Sequence, residues 1–197
     1  MVSQTPRHAR RGIVAAVSAI IKWLRDARIS VYGVVSCVSV TVLTLLLGFL
    51  FFRPTVVYGS SMFPTLSSND IVLLNGADHE FSYGDIAVIR RSNGELLIKR
   101  VIALGGDTVY INAEDGFVYR NGELLHEPYL VSQTPTGQLA GAVIVPQNHI
   151  FVLGDNRTNS FDSRYRDVGM ISLDAVIGKA VYRLYPFETA GSLLTEE

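Results

Sequence analysis

Cysteine is almost absent from this 197-residue chain. Cys37 is the only one, so no intramolecular disulfide can form and packing alone must hold the fold. It also lies within an apolar run, where a thiol keeps its proton, which argues against a thiolate nucleophile. Lysine is nearly as scarce: only Lys22, Lys99 and Lys179 occur, against 14 arginines. The formal charge is −1, and the basic surplus is confined to residues 1–28, where Arg7, Arg10, Arg11, Lys22, Arg25 and Arg28 face only Asp26. The remainder holds 11 basic and 17 acidic residues, a net of −6. It lacks the basic face that phosphate contacts require, which argues against a nucleic-acid binder.

Charge is missing altogether over the 24 residues from Ile29 to Phe52. At ~1.5 Å per residue a helix of that length reaches roughly 36 Å, enough for a ~30 Å hydrocarbon core. Its only polar side chains of note are Ser and Thr, which can return their hydroxyls to helix carbonyls. The expectation is one transmembrane helix over 29–52, with a basic cytoplasmic segment over 1–28 before it. Residues from Arg53 onward then lie outside the cytoplasm, in a domain over 53–187 with a frayed tail over 188–197. The shorter run from Gly12 to Ile21 reads as an interfacial helix. A cleavable leader is the rival reading of that N-terminus.

Beyond the apolar run, helical periodicity is scarce. Short apolar stretches over 71–75, 85–91, 95–104, 108–112, 116–124, 142–146, 149–154 and 175–186 are separated by turn sequences such as SNG, EDG and RNGE. Asn-Gly at 121–122 is a strong hairpin signal. The fold class expected is mainly β, with antiparallel sheets.

Three segments carry candidate chemistry. In ELLIKRVIAL, alternation puts Leu97, Lys99, Val101 and Ala103 on one strand face, so Lys99 has only apolar neighbours along its face. Desolvation there disfavours the ammonium and yields an amine able to accept a proton near neutral pH, unless the side chain snorkels from an edge. Lys179 shares its face with Arg183 and is expected to be wetter. In VVYGSSMFPTL, Gly59 frees the backbone and Pro64 stiffens it around Ser61, a way to fix one hydroxyl or merely to make a turn. In GDNRTNSFDSRYRD, an EF-hand pattern fails at Arg157 and at Ser160. A polar network with an Asp162–Arg164 pair and Ser160 as hydroxyl partner fits better. A triad using His149 and Asp155 stays open at this stage, while S-x-x-K is absent because Pro64 follows Ser61 by three.

Taken together, GSSMFPTL (59–66), YGDIAVIR (83–90), LIKRVIALGGD (97–107) and GDNRTNSFDSRY (154–165) resemble, in order and spacing, four sequence boxes of bacterial type I signal peptidases. The likeness covers most of residues 29–186 and is nearest to the compact Gram-positive form. It implies Ser61 as nucleophile, Lys99 as general base, Ser160 orienting that lysine and Asp162–Arg164 as a supporting salt bridge. It further implies an oxyanion hole using the Ser61 backbone N–H, since Gly59 stands where some members place a second serine. Tyr58, Gly59 and Ile98 are implied to line shallow pockets for small residues at −3 and −1 of the leader. The implied partners are preprotein leaders and the lipid bilayer of the plasma membrane, with no cofactor or metal. Thr158 in place of a frequent aspartate and RYRDVGM in place of RYWG are departures that touch no reacting group. A non-catalytic or single-substrate paralogue assisting pilus or surface-protein assembly is the alternative.

Overall fold

The computed structural model describes residues 7–77 and 80–194, leaving His79 outside. It divides into a helical unit, Met1–Phe49, and a β unit, Leu50–Glu197.

The helical unit is essentially one element, α1 (Arg7–Phe51). No proline occurs between Pro6 and Pro54, and the residues around the charged stretch 22–28 are good helix formers, so nothing divides an interfacial helix from a following one. The separate elements expected over 12–21 and 29–52 are therefore one continuous helix, and Phe52 already belongs to the first strand. Thr41 and Thr44 donate their hydroxyls to the carbonyls of Cys37 and Val40, which satisfies polar groups within the helix itself. Among the described residues no helix is long and apolar enough to cross a membrane.

The described residues of the β unit form twelve strands: β1 (Phe52–Val56), β2 (Ile71–Asn75), β3 (Ile86–Arg90), β4 (Leu96–Leu104), β5 (Thr108–Ile111), β6 (Val118–Arg120), β7 (Glu123–Leu124), β8 (Val143–Ile144), β9 (His149–Leu153), β10 (Ile171–Ser172), β11 (Val176–Tyr185) and β12 (Gly191–Ser192). The large sheet runs β1-β2-β11-β3-β4-β9-β10, with β12 also on β11, and the small one runs β7-β6-β5-β8. Every pairing is antiparallel. Within the tail expected to fray over 188–197, the described residues turn back at 187–189 and pair Gly191 and Ser192 with β11.

Strand β3 explains why the large sheet is covered on both faces. Ile86 and Val88 join one apolar cluster with Met62, Leu66 and Val72, while Ala87 and Ile89 join another with Val101, Ile150 and Val152. Such a strand reads as a continuous apolar run, since neither side of it meets water. The small sheet closes a third cluster through Val109, Ile111 and Val118.

Strand β4 positions the site. Its first half pairs with β3, from Leu96 opposite Arg90 to Arg100 opposite Ile86. On its other side the ladder with β9 begins only at Arg100, opposite Leu153. Residues 96–99 thus border an open edge. A groove of about 630 Å³ runs there, lined by Val56, Tyr58 and Gly59 as well as by Leu96, Ile98 and Lys99.

Candidate active site

Ser61 sits in a turn that the core pins from below. Met62 and Leu66 are fully buried in the first apolar cluster, and the Leu66 N–H donates to the Met62 carbonyl at 2.9 Å. Gly59, at φ +85, takes a backbone conformation that side chains resist, and a Cβ there would meet nothing within 4 Å. The turn after β9 clamps the segment from the other side. The Asn156 N–H donates to the Ser61 carbonyl at 2.9 Å, and the amides of Asn156 and Asn159 donate to the Ser60 carbonyl (3.1 Å) and hydroxyl (2.9 Å).

Lys99 reaches this hydroxyl. Its Nζ lies 2.7 Å from Ser61 Oγ, although 38 residues separate the two in sequence. The side chain is only 3 % exposed. Burial lowers its pKa from 10.5 to about 8; Asp162 and Asp155 oppose that drop and Arg164 reinforces it. A group so placed is neutral in a large fraction of molecules at mildly alkaline pH, and a neutral amine can accept the serine proton.

The remaining predicted residues surround the pair. Asp162 and Arg164 form a bidentate ion pair, with Nε–Oδ1 and Nη2–Oδ2 both 2.8 Å, and Asp162 also accepts the Gly154 N–H. Both are fully buried. The Ser160 hydroxyl is buried without a hydrogen-bond partner, and no bond joins it to Lys99. It packs where a Gly154 side chain would stand: a Cβ there would lie 2.2 Å from Ser160 Oγ and 2.5 Å from the Ser61 carbonyl. Tyr58, Gly59 and Ile98 all line the groove that ends at Ser61 and Lys99.

Two sequence readings change. His149 and Asp155 do not pair: the imidazole Nδ1 lies 2.9 Å from the Gln147 carbonyl, and both Asp155 oxygens are taken by Arg100 and Thr65. Lys179, expected to be wet, is buried with its Nζ 2.7 Å from Asp85, because the bulges in β11 uncouple its face from that of Arg183.

The sequence reading also missed a charged layer beneath the site. Arg100 grips Asp155 with both Nε (2.8 Å) and Nη2 (2.6 Å) and stacks on the Tyr129 ring, 4.0 Å from its centroid. Arg157 pairs with Glu127 and donates from Nη1 to the Thr134 hydroxyl at 2.6 Å. Burial raises the Tyr129 pKa, with Glu127 beside it adding to the rise. The signal for Arg100 was its place inside a strand whose neighbours are buried on both faces. Nothing local marked Glu127 or Tyr129, which lie in an irregular stretch. Among the described residues no cluster of metal-ligating side chains occurs.

The profile of the family described as Signal peptidase, peptidase S26 matches residues 30–185. The chain is similar to a probable signal peptidase I-1 of Synechocystis sp., at 37 % identity over 77 % of this chain and 81 % of the relative. It is similar to signal peptidase I S of Bacillus subtilis, at 35 % identity over 88 % of this chain and 94 % of the relative. Against a solved signal peptidase I from Enterococcus faecalis V583 the TM-score is 0.43, with 32 % identity over 51 % of this chain and 96 % of that one.

Proposed function

This chain belongs to the signal peptidase family, peptidase S26, and from that premise we propose that it cleaves leaders from exported preproteins by a serine–lysine mechanism. The observation that carries the reading is the 2.7 Å contact between Lys99 Nζ and Ser61 Oγ, made by a lysine that is almost wholly dry.

Neutral Lys99 takes the Ser61 proton as Oγ attacks the carbonyl at the cleavage site. The oxyanion develops beside the Ser61 backbone N–H, which donates to it in this scheme. The ammonium of Lys99 then returns its proton to the leaving amine. Water, deprotonated by the same amine, hydrolyses the acyl-serine and restores the hydroxyl. Ser160 orients Lys99 in this scheme; a buried hydroxyl with no other partner supports that role. Asp162 and Arg164 brace the loop that carries it.

The leader lies along the open edge of β4 as an added strand, using main-chain groups of residues 96–99. Residues −1 and −3 of the leader, small in the Ala-X-Ala pattern, lie in this reading against Gly59 and Ile98, with Tyr58 beside them, all three lining the groove. The uncharged stretch 29–52 anchors the chain in the plasma membrane with a cytoplasmic N-terminus, supported by the basic bias of residues 1–28.

The test is incubation of detergent-solubilised full-length protein with a preprotein whose leader ends in Ala-X-Ala. Wild type cuts at that site, and Ser61→Ala and Lys99→Ala each lose activity by at least ~10³-fold. Substantial cleavage by Lys99→Ala would assign the base to another group.

A further inference from the structure

The groove does not stop at the pockets for small residues. At its far end, away from Ser61, it is walled by Arg91, Glu95 and Phe161. Arg91 and Glu95 close the tight turn between β3 and β4: the Arg91 N–H donates to the Glu95 carbonyl at 2.9 Å, and Arg91 Nη1 meets Glu95 Oε2 at 3.0 Å. The Asn93 amide donates to that same oxygen at 2.6 Å, and this bond is the main reason the Glu95 pKa is lowered. On the other side the Arg91 guanidinium lies 5.8 Å from the Phe161 ring centroid. Arg91 is thus engaged by a ring and a carboxylate and is 27 % exposed, whereas the Glu95 side chain is 63 % exposed. The accessible charge at this end of the groove is negative. Arg90 is not among the groove's lining residues; it lines an adjoining hollow together with Arg91 and Asp167.

The geometry points to a charge-reading subsite: we propose that Glu95, held in place by Arg91 and Asn93, favours a basic side chain on the leader about five residues before the cut. This rests on the leader-peptidase reading above. With −1 beside Lys99, an extended leader advances ~3.4 Å per residue along Ile98, Leu97 and Leu96, and reaches Glu95 near −5. A cation there meets an exposed carboxylate, and an acidic side chain is repelled by it. The contact is remote from the reacting atoms, so it changes substrate binding and leaves the chemical step alone.

The test uses full-length, solubilised protein and a set of leader peptides identical except for Lys, Gln or Glu at one position, moved from −7 to −4. Matching peptides carry the same exchange at +3 as a control. At low ionic strength, Lys over Glu raises kcat/KM by about threefold near −5, entirely through KM. The preference shrinks as salt is added, Glu95→Gln removes it, and Glu95→Lys reverses it. A preference that survives in Glu95→Gln, resides in kcat or is equal at +3 overturns the subsite while leaving the peptidase reading intact. Failure of wild type to cut any of the peptides, or equal cutting by Ser61→Ala, overturns the peptidase reading, and the subsite falls with it.

Discussion

In the mechanism proposed above, Lys99 is where most of the chemistry and some of the stability of this molecule meet. Its pKa near 8 implies a pH–rate profile whose ascending limb in kcat/KM is centred close to that value, far below lysine's ordinary range. The same shift makes a stability statement. The native pKa is depressed relative to 10.5, so between about pH 8 and pH 10.5 the unfolded chain holds a proton the folded chain has released. Stability therefore rises with pH through that window and carries the full penalty of the buried ammonium below it. Replacing Lys99 by Met, which keeps the volume and removes the charge, is expected to abolish cleavage while raising stability at pH 7 by ~1–3 kcal/mol. Urea unfolding of the two proteins at pH 7 and pH 10 checks both the gain and its disappearance. Gly154 makes the complementary case: a methyl group there would stand 2.5 Å from the Ser61 carbonyl, a backbone atom that cannot rotate aside. Gly154→Ala should cut kcat by about 100-fold or more by displacing Ser61, the proposed nucleophile, with far-UV circular dichroism unchanged. Alternation along β4 made the dryness of Lys99 legible from sequence, because its strand neighbours are apolar. The burial of Lys179 was not legible, since a bulge that breaks the alternation leaves no mark on composition.

At the scale of elements, the apolar stretches bounded by Gly and Asn translated into strands with small errors. Strand β2 occupies the expected 71–75, and the Asn-Gly reversal separates β6 from β7. β1 was hidden, because it contains Pro54 and starts one residue after the helix ends. A proline is tolerated there since β1 is an edge strand and pairs on one side only. The short β10 and β12 were equally hidden, each being two residues whose identity as strand comes wholly from the partner. The stretch between β7 and β8 carried no periodic signal, yet it delivers Glu127, Tyr129 and Thr134 to the arginines under the site. Breaking that layer should be costly. Asp155→Ala strands the buried Arg100 guanidinium without its carboxylate and is expected to lose ~3–5 kcal/mol, measurable by denaturant unfolding. Glu127→Gln keeps the volume and one of the two acceptor oxygens that Arg157 uses, so it should lose less than Glu127→Ala.

For the whole molecule, the mainly β character and the antiparallel sheets followed from turn chemistry and the shortage of helical periodicity. The single continuous helix did not follow, because polar composition over 22–28 suggested a boundary where only a break in the backbone would have made one. The anchoring proposed for this chain predicts its behaviour in membranes directly. After expression, the full chain should stay with the lipid pellet through an alkaline carbonate wash. Release into the supernatant would remove the anchor while leaving the chemistry of the β unit untouched.

The contacts that make the site come from distant parts of the chain. Lys99 meets Ser61 across 38 residues, Arg100 meets Asp155 across 55, and Asn159 meets Ser60 across 99. Closing loops of that length costs entropy before any contact repays it, so such pairings form slowly. During refolding, hairpins local in sequence gain their strands early, whereas the reacting pair waits for three remote segments to converge. Recovery of peptidase activity should accordingly lag behind recovery of the far-UV signal, making competence the last property this polypeptide acquires.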